Sequence, residues 1–239
     1  MISSITSGKR FFKFMSEKVL SQYQKDYEDG GGGFTPARYG ETYLEKCPDG
    51  AARILMMGAA SGESVKDLAE ALNSGEKKLA KGAEMIVVDI RTEAIDSIAR
   101  LDGKVSGVRV VALKQDAREI AEEFTEIDLV VVDFTFNHLP EKDRLVFLDQ
   151  GISVLSRGGV MVTVFEETVP PTADRPGYTN FYGQVIRGSN IVLDDGSKLQ
   201  RNRVDTEVLT NHCQLRGWDW QAETIDPTFN VMALVVRKV

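Results

Sequence analysis

The sequence predicts an α/β protein built on one Rossmann-like sheet of seven strands, mostly parallel, with an antiparallel strand near the carboxyl end and helices on both faces. After Asp49, short apolar runs rich in Val, Ile, Leu and Met alternate with helical patterns, which is typical of a parallel sheet. The last two apolar runs, 218–223 and 229–237, are joined too tightly for a crossover helix, so these strands should run antiparallel to each other. A length of 239 residues with 42% hydrophobic content fits one main domain with additions.

Residues 1–48 are predicted to form an amino-terminal helical cap or lid. Apolar residues between Phe12 and Tyr27 recur at steps of three and four, which indicates an amphipathic helix. Four glycines at 30–33 follow and remove side-chain restraint, and the mixture of Pro, Gly and aromatic residues at 34–43 is typical of a loop. This arrangement suits a lid over a ligand, and it suits a tether to a partner-binding helix nearly as well.

Residues 49–239 are predicted to form the main domain, in which strands and helices alternate. The seven predicted strands cover residues 53–57, 85–89, 108–113, 128–133, 160–165, 218–223 and 229–237. Thr92 is the expected N-cap of the second helix, and a short helix is expected at 120–124. Gly158 and Gly159 mark the end of the fourth helix, and the last helix begins near Asp205.

The regular alternation stops at about 166–204, which we interpret as an insertion over the sheet. It contains three prolines, an aromatic cluster and a predicted hairpin that turns at Asp195 and Gly196. Tyr178 and Tyr182 are predicted to contact the substrate, because such rings could enclose an aromatic or anionic acceptor. Packing of the insertion itself is the alternative role for both tyrosines.

Charge and composition disfavour several classes of protein. A net charge of -7 opposes a long nucleic-acid substrate, so no nucleic-acid partner is expected. Cys47 and Cys213 are far apart, which suits neither a disulfide framework nor a thiolate zinc site. With two histidines and no compact acidic cluster, no metal is predicted. The sequence shows neither a secretory leader nor a membrane-spanning stretch, so we expect a cytoplasmic protein that does not enter a membrane.

A glycine-containing turn follows the first predicted strand. The strand leads directly into Gly58-Ala59-Ala60-Ser61-Gly62 and then into a helix. Glycines in such a turn let a ligand approach the backbone closely, and adenosine-containing cofactors bind at turns of this kind. A sharp strand-to-helix connection without a ligand explains the turn equally well. The turn therefore indicates a cofactor only together with the residues that follow it.

Three acidic residues follow the next three predicted strands. Asp89 ends the second strand, where its carboxylate could accept hydrogen bonds from both hydroxyls of a ribose. Asp116 follows the third strand and would suit an adenine amino group, and Asp133 ends the fourth. Helix capping explains any one of them. Ligands of open α/β sheets bind at the carboxyl ends of the strands, however, so three acids there favour a nucleoside site.

These segments, in this order and spacing, resemble the class I S-adenosylmethionine-dependent methyltransferase family over residues 52–165. The runs that resemble the family's motifs are 54–62, 86–90, 114–117, 127–140 and 155–162. The resemblance implies S-adenosylmethionine as cofactor and transfer of its methyl group, for which a small-molecule acceptor is expected. It implies cofactor contacts from Gly58, Ala59, Ala60, Gly62, Asp89, Ile90, Asp116, Ala117, Asp133 and Phe134, and a substrate contact from Asn137.

A dedicated base is optional in such a reaction. The methyl group is already activated by a sulfonium, so the protein chiefly has to align the acceptor and exclude water. A base is required only for an acceptor that is protonated at neutral pH, such as a hydroxyl or an ammonium. His138, just beyond the fourth strand, is the candidate catalytic base, and capping a helix or packing beneath the cofactor are its alternative roles. His212 is expected to be structural.

Two departures from the family pattern keep other functions open. The family usually has an acidic residue where Met56 stands and a glycine where Ala60 stands. A non-catalytic protein that binds the cofactor or a partner is therefore an alternative. A nicotinamide-dependent oxidoreductase is disfavoured, because the turn lacks Gly-x-Gly-x-x-Gly and the chain ends in an antiparallel pair of strands. The oligomeric state is left open.

Overall fold

The computed structural model describes residues 36–59, 62–74, 79–121, 123–167, 194–196, 204–226 and 230–239. These belong to one compact unit, Thr35–Val239. The predicted helix at 12–27 and the four glycines lie outside the described residues, as do Ala60, Tyr178 and Tyr182. No helix in the described part of the chain is long and apolar enough to cross a membrane.

Seven strands form a single sheet. They are β1 (Arg53–Met57), β2 (Ala83–Asp89), β3 (Val108–Lys114), β4 (Ile127–Asp133), β5 (Leu155–Glu166), β6 (Asp219–Asp226) and β7 (Val231–Arg237). Their order across the sheet is β3-β2-β1-β4-β5-β7-β6. Neighbouring strands are parallel, except that β7 runs antiparallel to both β5 and β6. The predicted fold class is confirmed, including the antiparallel strand near the carboxyl end.

In the described residues, five helices cover the two faces of the sheet. They are α1 (Pro36–Lys46), α2 (Gly62–Ser74), α3 (Thr92–Ala99), α4 (Glu141–Val154) and α5 (Thr206–Arg216). Phe147 and Leu148 of α4 pack with Leu209 and Cys213 of α5 on one face, in a core that also holds Val130 of β4. On the other face α1 contacts α2, which contacts α3. Short 3₁₀ turns, Ala117–Glu119 and Thr135–His138, follow β3 and β4.

The expected loop at 34–43 is wrong, because α1 begins within it. Proline is favoured in the first turn of a helix, where its missing N–H is not needed, and Pro36 is the first residue of α1. Tyr39, Tyr43 and Cys47 recur every four residues and are all buried. Gly40 allows close packing on α2, since a Cβ there would lie 3.1 Å from Ala71 Cβ. The segment is therefore a packed helix, and the proposed boundary at 48 stays a prediction.

Three local expectations also differ from the structure. Thr92 is the first residue of α3 and does not cap it, because Arg91 holds the N-cap position. The expected helix at 120–124 is reduced to the turn Ala117–Glu119, where the side chain of Gln150 takes up the next two backbone N–H groups. Helix α4 ends at Val154, before the expected glycines, because β5 already begins at Leu155. Asp205 does cap α5, by accepting a hydrogen bond from Glu207 N.

Candidate functional site

The turn after β1 depends on two glycines that approach neighbouring residues closely. Gly58 has a φ of +81°, and a Cβ at this position would lie 2.6 Å from Thr135 Oγ1. Gly62 begins α2, and a Cβ there would lie 2.7 Å from the Ser97 carbonyl oxygen. Gly62 N also donates to Ser97 Oγ at 2.6 Å. A side chain at Gly58 would overlap Thr135, and one at Gly62 would overlap Ser97, so this close-packed glycine turn, which we call the cradle, requires glycine at both positions.

Asp89 ties the end of β2 to this turn. It is 7% exposed, and its Oδ2 accepts a 2.9 Å hydrogen bond from Ala59 N. Its Oδ1 accepts from the backbone N and the Nε of Arg91 at 2.8 and 3.2 Å. Arg91 Nη2 also donates to the Ala59 carbonyl oxygen. The carboxylate thus lies at the carboxyl end of β2, with Arg91 and the backbone of Ala59 bonded to its oxygens. Ile90, the next residue, leaves 39% of its surface exposed beside it.

Asp116 lies after β3 and is held by Arg118. The carboxylate accepts hydrogen bonds from the backbone N and the Nε of Arg118, each at 2.9 Å. Hydrogen bonds from Arg118 lower the pKa of Asp116, so the carboxylate is ionised at neutral pH. Arg118 is fixed in turn by Asp143 at 2.9 Å, and Ala117 is buried beneath the turn. This ionised carboxylate suits a hydrogen-bond donor such as an exocyclic amine.

Asp133, the last residue of β4, pairs with a tyrosine from α1. Tyr43 Oη donates to Asp133 Oδ1 at 2.5 Å, and the tyrosine is fully buried. Burial raises the pKa of Asp133 to about 7, although the hydrogen bond from Tyr43 acts to lower it. Burial and the adjacent carboxylate raise the pKa of Tyr43 well above its usual range. The pair therefore places a carboxyl group that titrates near neutral pH at the carboxyl edge of the sheet.

Replacing Asp133 by Asn should stabilise the protein at alkaline pH. The pKa of Asp133 is raised from 3.8 in the unfolded chain to about 7 in the folded protein, so the folded protein holds the proton more tightly. The contribution of this group to stability is therefore complete below the unfolded pKa and is lost as the pH rises through about 7. An amide avoids that loss. We expect Asp133→Asn to raise the free energy of unfolding by on the order of 1–2 kcal/mol at pH 8.5. The gain is smaller than the pKa shift of Asp133 alone would give, because the amide accepts a weaker hydrogen bond from Tyr43 than the carboxylate does. Thermal unfolding at pH 8.5 and pH 4 measures it. An equal difference at both pH values would contradict the assignment.

The turn after β4 is strained and firmly held. Phe134 has a φ of +49°, in the left-handed region that costs a bulky residue about 1–3 kcal/mol. Its backbone N donates to the Val164 carbonyl oxygen at 2.8 Å, and its ring centroid lies 5.7 Å from that of Tyr39. Strain that the surrounding structure maintains is found preferentially at functional sites, which fits the position of this turn next to Gly58.

Asn137 fastens the same turn to β5. Its Nδ2 donates to the Glu166 carbonyl oxygen at 2.8 Å, and its Oδ1 accepts from Glu166 N at 3.0 Å. Both ends of the amide thus hold backbone, so the contact with substrate predicted for Asn137 stays a prediction. His138 is half-buried at the end of the turn. His212 lies elsewhere, with Nε2 3.0 Å from Asp149 Oδ1 on the α4 and α5 side.

Asp194, within the predicted insertion, contacts this edge of the sheet. It accepts hydrogen bonds from Thr92 N and Thr92 Oγ1, at 3.0 and 2.6 Å, and from Lys114 Nζ at 2.6 Å. These bonds cap α3 and hold Asp194 beside the ends of β2 and β3. Of the expected hairpin, the structure describes residues 194–196, which include the predicted turn at Asp195 and Gly196.

The structure thus brings the predicted cofactor residues together at the carboxyl ends of β1 to β4. Those that it describes are Gly58, Ala59, Gly62, Asp89, Ile90, Asp116, Ala117, Asp133 and Phe134. Sequence reasoning missed Tyr43, Arg91 and Asp194. The four-residue spacing of Tyr39 and Tyr43 was a signal for a buried helix face, whereas the contacts of Arg91 and Asp194 had no sequence signal. Within the described ranges, no group of three His, Cys, Asp or Glu residues could hold a metal ion.

Residues 54–159 match a family model described as a methyltransferase domain. The matched segment runs from β1 to the start of β5 and includes the glycine turn, Asp89, Asp116 and the turn after β4. It lies within residues 52–165, the region over which the sequence resembles class I methyltransferases. None of the curated proteins matches the chain.

Several solved structures share this fold at low sequence identity. A protein from Bordetella parapertussis, assigned as exported, is 15% identical with a TM-score of 0.57, covering 99% of this chain and 74% of its own. DhpI in complex with SAM and HEP is 18% identical with a TM-score of 0.55, covering 92% and 96%. A protein from Clostridium thermocellum, assigned as an rRNA methylase, is 11% identical with a TM-score of 0.51, covering 87% and 97%. At these identities the likeness concerns the fold alone.

Proposed function

We propose that the chain is a class I S-adenosylmethionine-dependent methyltransferase, and that the methyl group passes by direct displacement to a small-molecule acceptor. The observation that carries the proposal is the cradle formed by Gly58 and Gly62, with Asp89 bonded to the backbone between them. A Cβ at either glycine would overlap Thr135 or Ser97, so the glycines keep the turn close to the carboxyl ends of the strands, the edge at which open α/β sheets bind nucleosides.

The residues at this edge fit the parts of the cofactor. The cofactor supplies a methyl group activated by a sulfonium. Asp89 would accept hydrogen bonds from the ribose, exchanging those from Arg91, while Ile90 offers an exposed apolar surface to the adenine. Asp116 and Ala117 would meet the edge of the adenine. The turn at Asp133 and Phe134 would border the reacting end, with water excluded by α1.

Charge at the site favours a small neutral or cationic acceptor over a nucleic acid. The pairing of β4 with β5, β5 with β7 and β7 with β6 aligns Asp133, Glu166 and Asp226 on the same face of the sheet. Three carboxyl groups near one edge repel phosphates, as does the net charge of -7. A structure assigned as an rRNA methylase shares the fold, so an assay with total RNA is the direct control for this part of the proposal.

Further roles at the site are proposed from position. We propose His138 as a candidate catalytic base and Asn137, Tyr178 and Tyr182 as substrate contacts, with residues 1–48 as a cap and 166–204 as an insertion over the site. The two cysteines, Cys47 and Cys213, are free and buried, which fits a cytoplasmic location.

A non-catalytic cofactor-binding protein is the second candidate. Met56, which stands where the family usually has an acid, is 1% exposed on the face that α1 and α2 cover. An apolar core residue at this position would leave the methionine end of the cofactor to other groups. Turnover with any acceptor would exclude this candidate, whereas cofactor binding alone would not.

Replacing Asp89 by Ala should weaken cofactor binding. We expect the wild type to bind S-adenosylmethionine and S-adenosylhomocysteine in the micromolar range and not NAD, with affinity reduced about 10- to 100-fold in Asp89→Ala, since charge-assisted hydrogen bonds contribute about 1.5–3 kcal/mol. Titration calorimetry measures this. Asp96→Ala, an exposed acid on α3, is the matched control and should bind like the wild type. Unchanged affinity in Asp89→Ala would remove Asp89 from the site, and no binding by folded wild type would refute the proposal.

A further inference from the structure

We propose that Asp133 accepts the proton that the methyl acceptor loses, and that Tyr43 of α1 is the positioning residue that holds its carboxylate. This inference rests on the proposed function and deepens it. It defines the acceptor as one whose attacking atom carries a proton at neutral pH, which means a hydroxyl or an ammonium group. It also assigns a role in the reaction to α1, which lies outside the segment that matches the family model.

The position of Asp133 supports this role. The register of β1 against β4 pairs Met56 with Val131, so Asp133 ends β4 beside the point where β1 turns into Gly58. Thr135, two residues further on, lies directly against Gly58 and donates to the Met57 carbonyl oxygen at 3.2 Å. The carboxylate is therefore adjacent to the cradle, while Asn137 directs the later part of the turn towards β5. His138 is the last residue of the turn Thr135–His138, and it therefore lies further along the chain from the cradle than Asp133 does.

The hydrogen bond from Tyr43 leaves one carboxylate oxygen for the acceptor. Tyr43 is fully buried and donates to Oδ1, and no other side chain of the described residues bonds to this carboxylate in the structure. Asp133 itself is half-buried at the end of β4, so part of the residue remains accessible. The phenol thus fixes the orientation of the carboxyl group, and Oδ2 is the oxygen positioned to receive a proton.

Other titratable groups face the same edge from the elements around Asp133. Helix α1 contributes Tyr39 as well as Tyr43, and Tyr39 Oη donates to Asp226 Oδ2 at 3.3 Å. Strand β5 contributes Glu166, and the turn after β4 contributes His138. The two tyrosines are one helical turn apart on α1 and each holds a different carboxylate. This makes Tyr39 a matched control for Tyr43.

The proton transfer balances without a further reagent. The lone pair of the acceptor oxygen or nitrogen forms a bond to the methyl carbon as the carbon–sulfur bond breaks, and that electron pair stays on sulfur. The proton of the acceptor moves to Asp133 Oδ2, before the attack for an ammonium and during it for a hydroxyl. It then passes to solvent. With a pKa of about 7, Asp133 is mostly ionised above neutral pH. A base is most effective when its pKa lies near the pH at which the enzyme works, and this carboxyl group meets that condition.

Sinefungin tests the proposal without a known acceptor. In this analogue a carbon that bears an amine stands in place of the methylated sulfur, so its ammonium lies where the methyl group would be transferred. We expect the wild type at pH 8 to prefer sinefungin to S-adenosylhomocysteine by about tenfold or more, and this preference to vanish in Asp133→Asn. The preference should decline below pH 7. Tyr43→Phe removes a bond that lowers the pKa of Asp133, so the decline should move to higher pH. Tyr39→Phe should leave it in place.

Calorimetry with both ligands between pH 5.5 and 9 separates the outcomes, with thermal unfolding to confirm that each variant is folded. S-adenosylhomocysteine lacks the amine, so its affinity for each protein is the reference against which that protein's preference for sinefungin is measured. If Asp133→Asn binds S-adenosylhomocysteine normally and still prefers sinefungin, the proposal is overturned. A pH decline that persists in Asp133→Asn and disappears in His138→Gln would assign the base to His138 instead. Failure of the wild type to bind S-adenosylhomocysteine would refute the proposed function itself, a result distinct from both.

Discussion

Replacing Gly58 by Ala should destabilise the protein by about 2–4 kcal/mol and weaken cofactor binding at least 100-fold. Two costs combine at this position. Gly58 has a φ of +81°, where a Cβ costs about 1–2 kcal/mol, and the added Cβ would lie 2.6 Å from Thr135 Oγ1 and 2.9 Å from Thr135 Cγ2. Relief of this overlap moves either the turn or the residues after β4, and both border the proposed cofactor site. Chemical denaturation and titration with S-adenosylhomocysteine measure the two effects.

Gly50 provides the matched control for this substitution. It has a similar φ of +71°, but a Cβ there would meet nothing within 4 Å. Gly50→Ala should therefore show the backbone cost alone, about 1–2 kcal/mol, and unchanged cofactor affinity. Adding Thr135→Ala to Gly58→Ala should recover part of the stability, because it removes the two atoms in closest overlap. Equal effects of Gly50→Ala and Gly58→Ala would show that steric contact with Thr135 is unimportant.

Most of the fold could be predicted from the sequence because local pattern and tertiary structure agree there. The buried parallel strands are continuous apolar runs, and β1 has the predicted bounds, Arg53–Met57. The segment of α1 was misread because Pro36 and Gly40 are typical of loops. In this helix Pro36 is tolerated because it lies in the first turn, and Gly40 is favoured because it packs against Ala71. Both reasons are properties of the folded structure that composition does not reveal.

Several residues of the candidate site could be predicted from the sequence, whereas the contacts between them could not. Gly58, Asp89, Asp116 and Asp133 could be predicted, because the carboxyl ends of parallel strands meet at one edge whatever their side chains do. The pairing of Asp133 with Tyr43 joins residues 90 positions apart, and it depends on how α1 lies across the sheet. No motif encodes that contact. The pKa of Asp133 follows from the contact and from burial, so it too required the structure.

Replacing Arg144 by Met should cost about 3–5 kcal/mol and also weaken cofactor binding. Arg144 is 2% exposed, and its Nε donates to the carbonyl oxygens of Phe136 and Leu139, at 2.9 Å each. Burial lowers its pKa to about 10, so the guanidinium stays charged at neutral pH. Methionine fills similar space but leaves both carbonyl groups buried without this donor, which costs about 1–3 kcal/mol for each. The turn Thr135–His138 would then lose its support on the α4 side.

Arg216 on α5 is the control for loss of an arginine. It is half exposed and donates to Asp149 Oδ2 at 2.6 Å, and surface pairs of this kind contribute at most about 1 kcal/mol. Arg216→Met should therefore unfold close to the wild type in denaturant and bind S-adenosylhomocysteine normally. Arg144→Met should unfold at a much lower denaturant concentration, with weaker binding at temperatures where it remains folded. A stability loss without any change in affinity would mean that the turn after β4 keeps its shape without Arg144. Coupled losses would show that this buried cation, through two backbone carbonyl groups, maintains the strained conformation of Phe134 at the edge of the site.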